Sequence, residues 1–435
     1  MFRPRLIARL AAALLMALPC VGHAEDLLQV YQQARRADPV LLAADAARQV
    51  VREGVTQARA PLLPQVSAGL AYDQTRTAGD ADARNSSRAL SAQLNQVLVD
   101  VGKLSQLRSA QAQADAQDAT YRAAEQALCA RVAKAYFDVL TAEDTLAHVM
   151  ANEDAFRQQV EQSDQRFRNG LTAQVDVEQA RAYHASARAT TIGARQALAD
   201  AREALAEITG QPTGTLKTLR DDLPLDAPSP AEPQAWVDAA LNQNPTLQAQ
   251  QRGIAAAEED IGAARAGHLP TLNAGLGVGR SAAWPVPGSS DDGRNVTTLG
   301  LVLNVPLFAG GATQSQVRQA LHRRDGARDE LELRRRRVAR DTLAQYRSVL
   351  AGIGQTEATR AAVDAARKAL ASTRIGQGLG TQTMTDLLLA IQTFAGAQSA
   401  YSQARHQFIL SRLLLQQAAG TINEADLASV NALLQ

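Results

Sequence analysis

Two aspartates, Asp176 and Asp386, each stand six residues beyond a glycine, Gly170 and Gly380, and lie 210 residues apart. A carboxylate just past a glycine turn can cap the helix that follows, where free N–H groups favour negative charge. It can equally meet a counter-charge across an interface. Neither role makes or breaks covalent bonds. The other reactive side chains are scattered. His148, His184, His268, His322 and His406 do not fall at metal-ligand spacing from one another. Cys129 sits alone in a helical pattern and reads as a buried, neutral thiol. Gly275-Leu276-Gly277-Val278-Gly279 lacks the spacing of a dinucleotide loop and alternates like a strand. There is no phosphate-binding lysine loop and no nucleophile elbow. These residues speak against an enzyme, and neither a cofactor nor a metal is expected.

The glycine–aspartate pairs belong to a larger duplication. Ala37-Asp38-Pro39-Val40-Leu41 matches Gln243-Asn244-Pro245-Thr246-Leu247, and Pro61-Leu62-Leu63-Pro64-Gln65 matches Gly267-His268-Leu269-Pro270-Thr271, both 206 residues on. Later pairs are 210 apart: Arg108 with Arg318, Asp176 with Asp386, Gly210 with Gly420. Most of the added length must fall in the Pro-, Gly-, Ser- and Asp-rich stretch from Trp284 to Asn295, a loop. Each repeat, 25–210 and 236–420, presents a helix, two strands, a very long helix, a glycine-marked turn and a returning helix. The helices are expected at 27–59, 103–168 and 173–209, and again at 236–265, 312–375 and 383–419. Between the repeats, 211–235 holds Pro212, Pro224, Pro228, Pro230 and Pro233, so no long helix can run through it.

Residues 1–24 read as a secretory signal. Arg3, Arg5 and Arg9 precede the apolar run Leu10–Leu18, and Gly22-His23-Ala24 offers a cleavage site before Glu25. Cys20 lies inside that signal. Cleavage leaves 42 basic against 44 acidic residues, a formal charge of −2, which gives no field suited to nucleic acid.

The expected strands alternate. Val66, Ala68, Leu70 and Tyr72 oppose Gln65, Ser67, Gly69 and Asp73; Leu272, Ala274, Leu276 and Val278 oppose Thr271, Asn273, Gly275 and Gly277. The return strands do the same through Leu90, Ala92, Leu94 and Leu98, and through Leu299, Leu301, Leu303, Val305 and Leu307. Alternation puts one apolar and one polar face on each strand. A soluble sandwich would show the same pattern. A transmembrane strand needs about 9–11 residues, and all four stretches reach that length. Four strands cannot close a barrel. Open edges in lipid leave backbone groups unpaired at several kcal/mol each. Copies of the chain must therefore pool strands. Two copies give a filled barrel; three give twelve strands and a lumen, which the polar faces favour.

Residues 103–168 contain no proline and would span roughly 99 Å as one helix. Their apolar residues are sparse, at spacings of three, four and seven, among them Leu128, Val132, Val139, Leu146, Phe156, Val160 and Phe167. A helix so polar over its girth is wet on at least one side, as in a hollow ring. Aromatics at 4% favour long helices over a compact mixed core. Arg334-Arg335-Arg336-Arg337 reads as a solvated helix face.

With these elements in place, the chain resembles the TolC family of outer-membrane channel-tunnels over essentially its whole mature length. The resemblance rests on the paired Asp/Asn-Pro starts, the doubled order of elements, and the two turns. Gln165-Arg166-Phe167-Arg168-Asn169-Gly170-Leu171 with Asp176 is similar to the family's first periplasmic turn, and Gly380 with Asp386-Leu387-Leu388 to its second. It implies a mainly α fold with a small β part: long helical hairpins form a periplasmic tunnel, and four strands per chain join a 12-stranded trimeric barrel in the outer membrane. Residues 211–235 and 421–435 would form an equatorial belt. It implies export from an inner-membrane transporter, ABC-type or proton-driven, by way of a periplasmic adaptor, for type I protein secretion or multidrug efflux. The lock at the tunnel tip would involve Gln165 and Asp176 on the first turn. The family's Tyr and Arg partners on the second turn are not clearly kept; Gln377 and Gln382 stand there, with Arg374 nearby. Asp386 would form a three-carboxylate ring, its members raising one another's pKa; the family's second acidic ring position is Leu389 in this chain, so Asp386 alone remains. Gly170, Leu171, Gly380 and Thr381 would face the adaptor. A rival reading is a periplasmic coiled-coil adaptor or scaffold.

Overall fold

The computed structural model describes residues 24–77, 83–283 and 294–435. The expected signal, with Cys20, and most of the Trp284–Asn295 loop lie outside the described residues. The elements follow the order α1 (Leu27–Ala37), α2 (Pro39–Arg59), β1 (Gln65–Thr77), β2 (Ala83–Val99), α3 (Val101–Arg168) and α4 (Gln174–Thr209). The second repeat runs α5 (Pro233–Gln243), α6 (Pro245–Ala266), β3 (Thr271–Ala283), β4 (Arg294–Asn304), α7 (Ala312–Gly378) and α8 (Met384–Ala419), followed by α9 (Glu424–Asn431). The duplication is kept to the residue in two pairs of elements. β1 and β3 begin and end 206 apart, and α4 and α8 begin and end 210 apart. Two details depart from the sequence pattern: β4 ends at Asn304, short of the expected Val305 and Leu307, and each repeat's first helix is two helices. Asp38 and Asn244 adopt extended backbone before Pro39 and Pro245, because a proline disfavours helical geometry in the residue before it.

The chain divides into two compact units that cut across the repeats. One holds residues up to Leu42, Glu125–Val237 and Asp341–Gln435; the other holds Ala43–Ala124 and Asp238–Arg340.

The second unit contains the sheet, four antiparallel strands in the order β1-β2-β3-β4. Its register sorts the faces. Val66, Leu94, Leu276 and Leu299 form one row across all four strands, and the next row on the opposite face is Ser67, Gln93, Gly277 and Thr298. The apolar face has no cover among the described residues: Val66 is 74% and Leu299 80% exposed. In the same unit the helices sit side by side as α2, α3, α6, α7. Arg52 bonds Asp118 at 3.0 Å between α2 and α3, and Arg328 bonds Glu258 at 2.8 Å between α6 and α7. These are repeat-equivalent positions with the charges exchanged. Both pairs are exposed and are worth about 0.2–1 kcal/mol each, so they mark register more than they stabilise. Between α3 and α6 the helices close on small residues; a Cβ at Gly262 would lie 3.0 Å from the Ser105 hydroxyl. Arg334 to Arg337 are all exposed, two of them bonded along the helix to Glu330 and Glu332.

The other unit has a more conventional core around Leu128, Val132, Tyr136, Val139, Phe408, Leu413 and Leu427. The Pro-rich stretch is tied to it. Tyr136 donates its hydroxyl to the Lys217 carbonyl at 2.8 Å, and Leu219 bridges Leu434. Arg405, 7% exposed, donates to the carbonyls of Leu219 and Arg220. Asp38 caps α2 through the Leu41 N–H and holds Arg131 at 2.6 Å. Burial alone would raise the Asp38 carboxyl, but the Arg131 and backbone donors bring it below its ordinary value. Cys129 is buried.

His406, 4% exposed, shares a hydrogen bond with Thr141 at 2.9 Å and lies 3.8 Å from Asp144. Burial dominates over the pull of Asp144, and Arg405 adds to it, so the imidazole pKa falls from 6.5 to about 4. The folded state keeps His406 neutral while the unfolded chain binds a proton near pH 6.5. Stability should therefore drop as pH falls from 6.5 towards 4, by up to about 1.4 kcal/mol per unit. Urea unfolding at stepped pH checks this, and His406→Gln should flatten the slope in that window.

Candidate functional site

The two glycine turns are built alike. Gly170 has φ 71 and Gly380 has φ 76, backbone that glycine adopts without penalty. The Gly170 N–H donates to Phe167 and the Leu171 N–H to Arg166; 210 residues on, Gly380 donates to Gln377 and Thr381 to Gly376. Both are left-handed helix closures that satisfy the last carbonyls of α3 and α7.

The aspartates beyond them differ. Ala173 precedes α4 without a side-chain cap, and Asp176, half-buried, accepts from the Thr172 hydroxyl at 2.5 Å. Thr383 caps α8, and Asp386 closes a reciprocal capping box with it: the Thr383 N–H and hydroxyl donate to Asp386 at 2.9 and 2.6 Å. The Thr383 hydroxyl first, then its N–H, hold the Asp386 carboxyl below its usual range. This is the opposite sign to mutual repulsion in a ring. Within one chain the local donors decide.

Gln165, Arg374 and Gln382 are exposed and Gln377 is half-buried. Gln382 folds over the turn, where a Cβ on Gly376 would come within 2.7 Å of its Cγ. Among the described residues, no hydrogen bond joins Gln165 or Asp176 to Arg374, Gln377, Gln382 or Asp386. The hairpins are linked instead by Thr385, whose hydroxyl donates to the Gln179 side chain at 2.8 Å, and by apolar packing of Met384, Leu387 and Leu388 against Phe156 and Ala187. Arg181 clamps the first hairpin, bonding Asp164 at 3.0 Å and Glu178 at 2.9 Å. The Glu178–Arg181 spacing is legible in sequence; the reach to Asp164 and the Thr385–Gln179 contact depend on helix pairing. In the second repeat the positions of Asp164 and Arg181 hold Arg374 and Ile391. Ile391 joins a buried cluster with Phe156, Met384, Leu387 and Leu388. The first hairpin end is thus clamped by charge, while Ile391 at the matching position of the second packs against Phe156 and Ala187 of the first hairpin. Leu171, Ile375 and Leu379 remain exposed around the turns.

No cluster of His, Cys, Asp or Glu able to hold a metal occurs among the described residues. No described helix is long and apolar enough to cross a membrane.

An amphipathic antiparallel sheet joined to paired helices of 68 and 67 residues defines the architecture of outer-membrane channels with helical extensions. The profile of the family described as "Outer membrane efflux protein" matches residues 30–211 and 236–421, and the chain belongs to that family. It is 36% identical to the outer membrane protein TolC of Vibrio cholerae over 98% of both chains. It is 29% identical to the alkaline protease secretion protein AprF of Pseudomonas aeruginosa, over 98% of this chain and 91% of that one. The Campylobacter jejuni CmeC outer membrane channel superposes with a TM-score of 0.79 at 16% identity, covering 94% of this chain and 90% of that one. The protein is an outer-membrane export channel of the kind used in type I secretion and multidrug efflux, and its helical part is periplasmic.

Thr383→Ala removes the α8 cap and should cost about 1 kcal/mol locally. Hydrogen exchange of the peptide covering residues 384–390 should quicken roughly fivefold, while the start of α4 stays unchanged.

Proposed function

We propose that the protein is a trimeric, non-enzymatic duct that receives substrates from an inner-membrane transporter, ABC-type or proton-driven, through a periplasmic adaptor. The observation that carries this reading is the four-stranded sheet with two free edges and an uncovered apolar face. Three copies would pool twelve strands around a water-filled lumen, with lipid on the apolar rows. The repeats 25–210 and 236–420 would each supply two strands and one helical hairpin. The duct does no chemistry; its physical work is gating.

The gate would lie at the two turns. Gln165 and Asp176 on one side, and Arg374, Gln377, Gln382 and Asp386 on the other, would meet between copies. Charge-assisted bonds of about 1.5–3 kcal/mol each hold a closed tip yet yield to a docking partner. Three observations support this placement. Arg374 is exposed and has no ion pair among the described residues, Asp176 is half-buried beside its turn, and the Asp386 carboxyl is held ionised by Thr383. Gly170, Leu171, Gly380 and Thr381 would face the adaptor, and the exposure of Leu171 and Leu379 beside them supports that role. Relatives named for secretion of alkaline protease and for efflux point to both cargo classes.

Asp176→Ala should make the channel leakier. Cells with an intact outer membrane should become more sensitive to large antibiotics, and unchanged sensitivity at equal protein level counts against the lock. Asp386→Ala should lower cation selectivity in planar-bilayer recording. A wild-type channel that does not conduct, or that ignores cation charge, would reject the duct or the ring respectively.

A further inference from the structure

We infer that the membrane-proximal edge of α7 carries a cationic socket that receives Glu53 from α2 of the next copy and sets the register of the trimer seam. The inference rests on the trimer reading and goes on to say which residues meet.

The order of elements supplies the geometry. Strands run β1-β2-β3-β4, and the helices of the same unit pair as α2 with α3, α3 with α6, and α6 with α7. Sheet and helix row therefore expose the same two edges, β1 with α2 and β4 with α7. A ring closes only if α7 of one copy lies beside α2 of the next. That junction joins the end of one repeat to the start of another, as the α3–α6 seam does inside the chain.

The internal seam is thus a template. In it Gly102 approaches Ala266, with 3.4 Å from its would-be Cβ to the Ala266 Cβ, and Gly262 approaches Ser105 at 3.0 Å. Arg252 reaches Asp115 at 3.7 Å along the same line. Adding 210 on α3 and subtracting 206 on α6 places Ala312 beside Ala60 of the next copy and Ser315 beside its Thr56. All four remain small enough for close approach. Three residues further along, Arg318 comes level with Glu53.

Charge then distinguishes this seam from its template. The free face of α7 holds a shallow hollow of about 620 Å³ lined by Ser315, Arg318, Gln319, His322 and Arg323. The internal seam has Ala112 and Gln113 where α7 has His322 and Arg323. Arg108 and Glu259 hold the Arg318–Glu53 level there without closing an ion pair; the free edge offers Glu53 two further basic side chains. Arg318 and Arg323 have no ion pair among the described residues, and neither does Glu53, which is exposed on α2. Two cations of α2 near Glu53 are already engaged: Arg52 bonds Asp118, and Arg48 is ion-paired with Asp45 and lies over the Tyr121 ring. A lone carboxylate facing a basic hollow at the same level is electrostatic complementarity between copies.

Paired cysteines test the register. Thr56→Cys with Ser315→Cys should give covalent dimers and trimers on a non-reducing gel of outer membranes, while Val50→Cys with Ser315→Cys should not. Cys129, being buried, stays out of the reaction. Absence of cross-links in the first pair, or equal cross-linking in the second, overturns the register. Each single variant is also run on a native gel. Monomers there would sink the trimer itself, an outcome distinct from a trimer of different register. For the socket, Glu53→Arg should lower the temperature at which the trimer dissociates in detergent, and adding Arg318→Glu should restore it. A double variant no better than Glu53→Arg alone overturns the pairing.

Discussion

Unpaired backbone at the edges of a sheet is the constraint on which this structure turns. In water an edge strand finds solvent; in hydrocarbon each orphaned N–H or C=O costs several kcal/mol. The chain carries four strands, faces sorted by register, with a free edge at β1 and another at β4. Such a sheet is not a finished object in lipid. Its uncovered leucines and open edges make sense only when copies complete one another.

The helices continue the same logic under different physics. Their seams are lined by small residues, Gly102, Ser105, Gly262 and Ala266 among them, so backbones approach closely and curvature can accumulate around a ring. Little of α3 and α7 near the sheet is buried, and the salt bridges there are exposed and individually weak. The other unit holds the large buried side chains and ties the Pro-rich segment down through Tyr136 and Arg405.

Duplication explains both what is shared and what diverges. The two turns keep identical backbone closures, because only glycine holds the left-handed position easily. The side chains beyond them have drifted: Asp176 leans on Thr172, Asp386 on Thr383, and the Arg181 clamp has become the buried Ile391. The charged clamp of the first hairpin has no counterpart in the second, whose apolar residues pack against the first.

Much of this was written in the linear chain. Period-two alternation, the proline-free stretches, the 206- and 210-residue offsets and the paired glycines depend on local backbone preference and on covalent spacing, which sequence carries directly. The positions of the sheet and of both hairpins followed from them. The break at Pro39 and Pro245 was not read from the sequence, because the apolar period runs on across it, although proline restricts the residue before it. What only tertiary structure decided was pairing. The sequence placed Asp176 and Asp386 correctly on helix starts but could not choose between cap and lock, because both roles favour the same residue. The structure supplied the cap at Asp386 and the Thr385–Gln179 contact, because those depend on side-chain distance across helices. Distance between segments far apart in the chain is set by packing, and no periodicity records it.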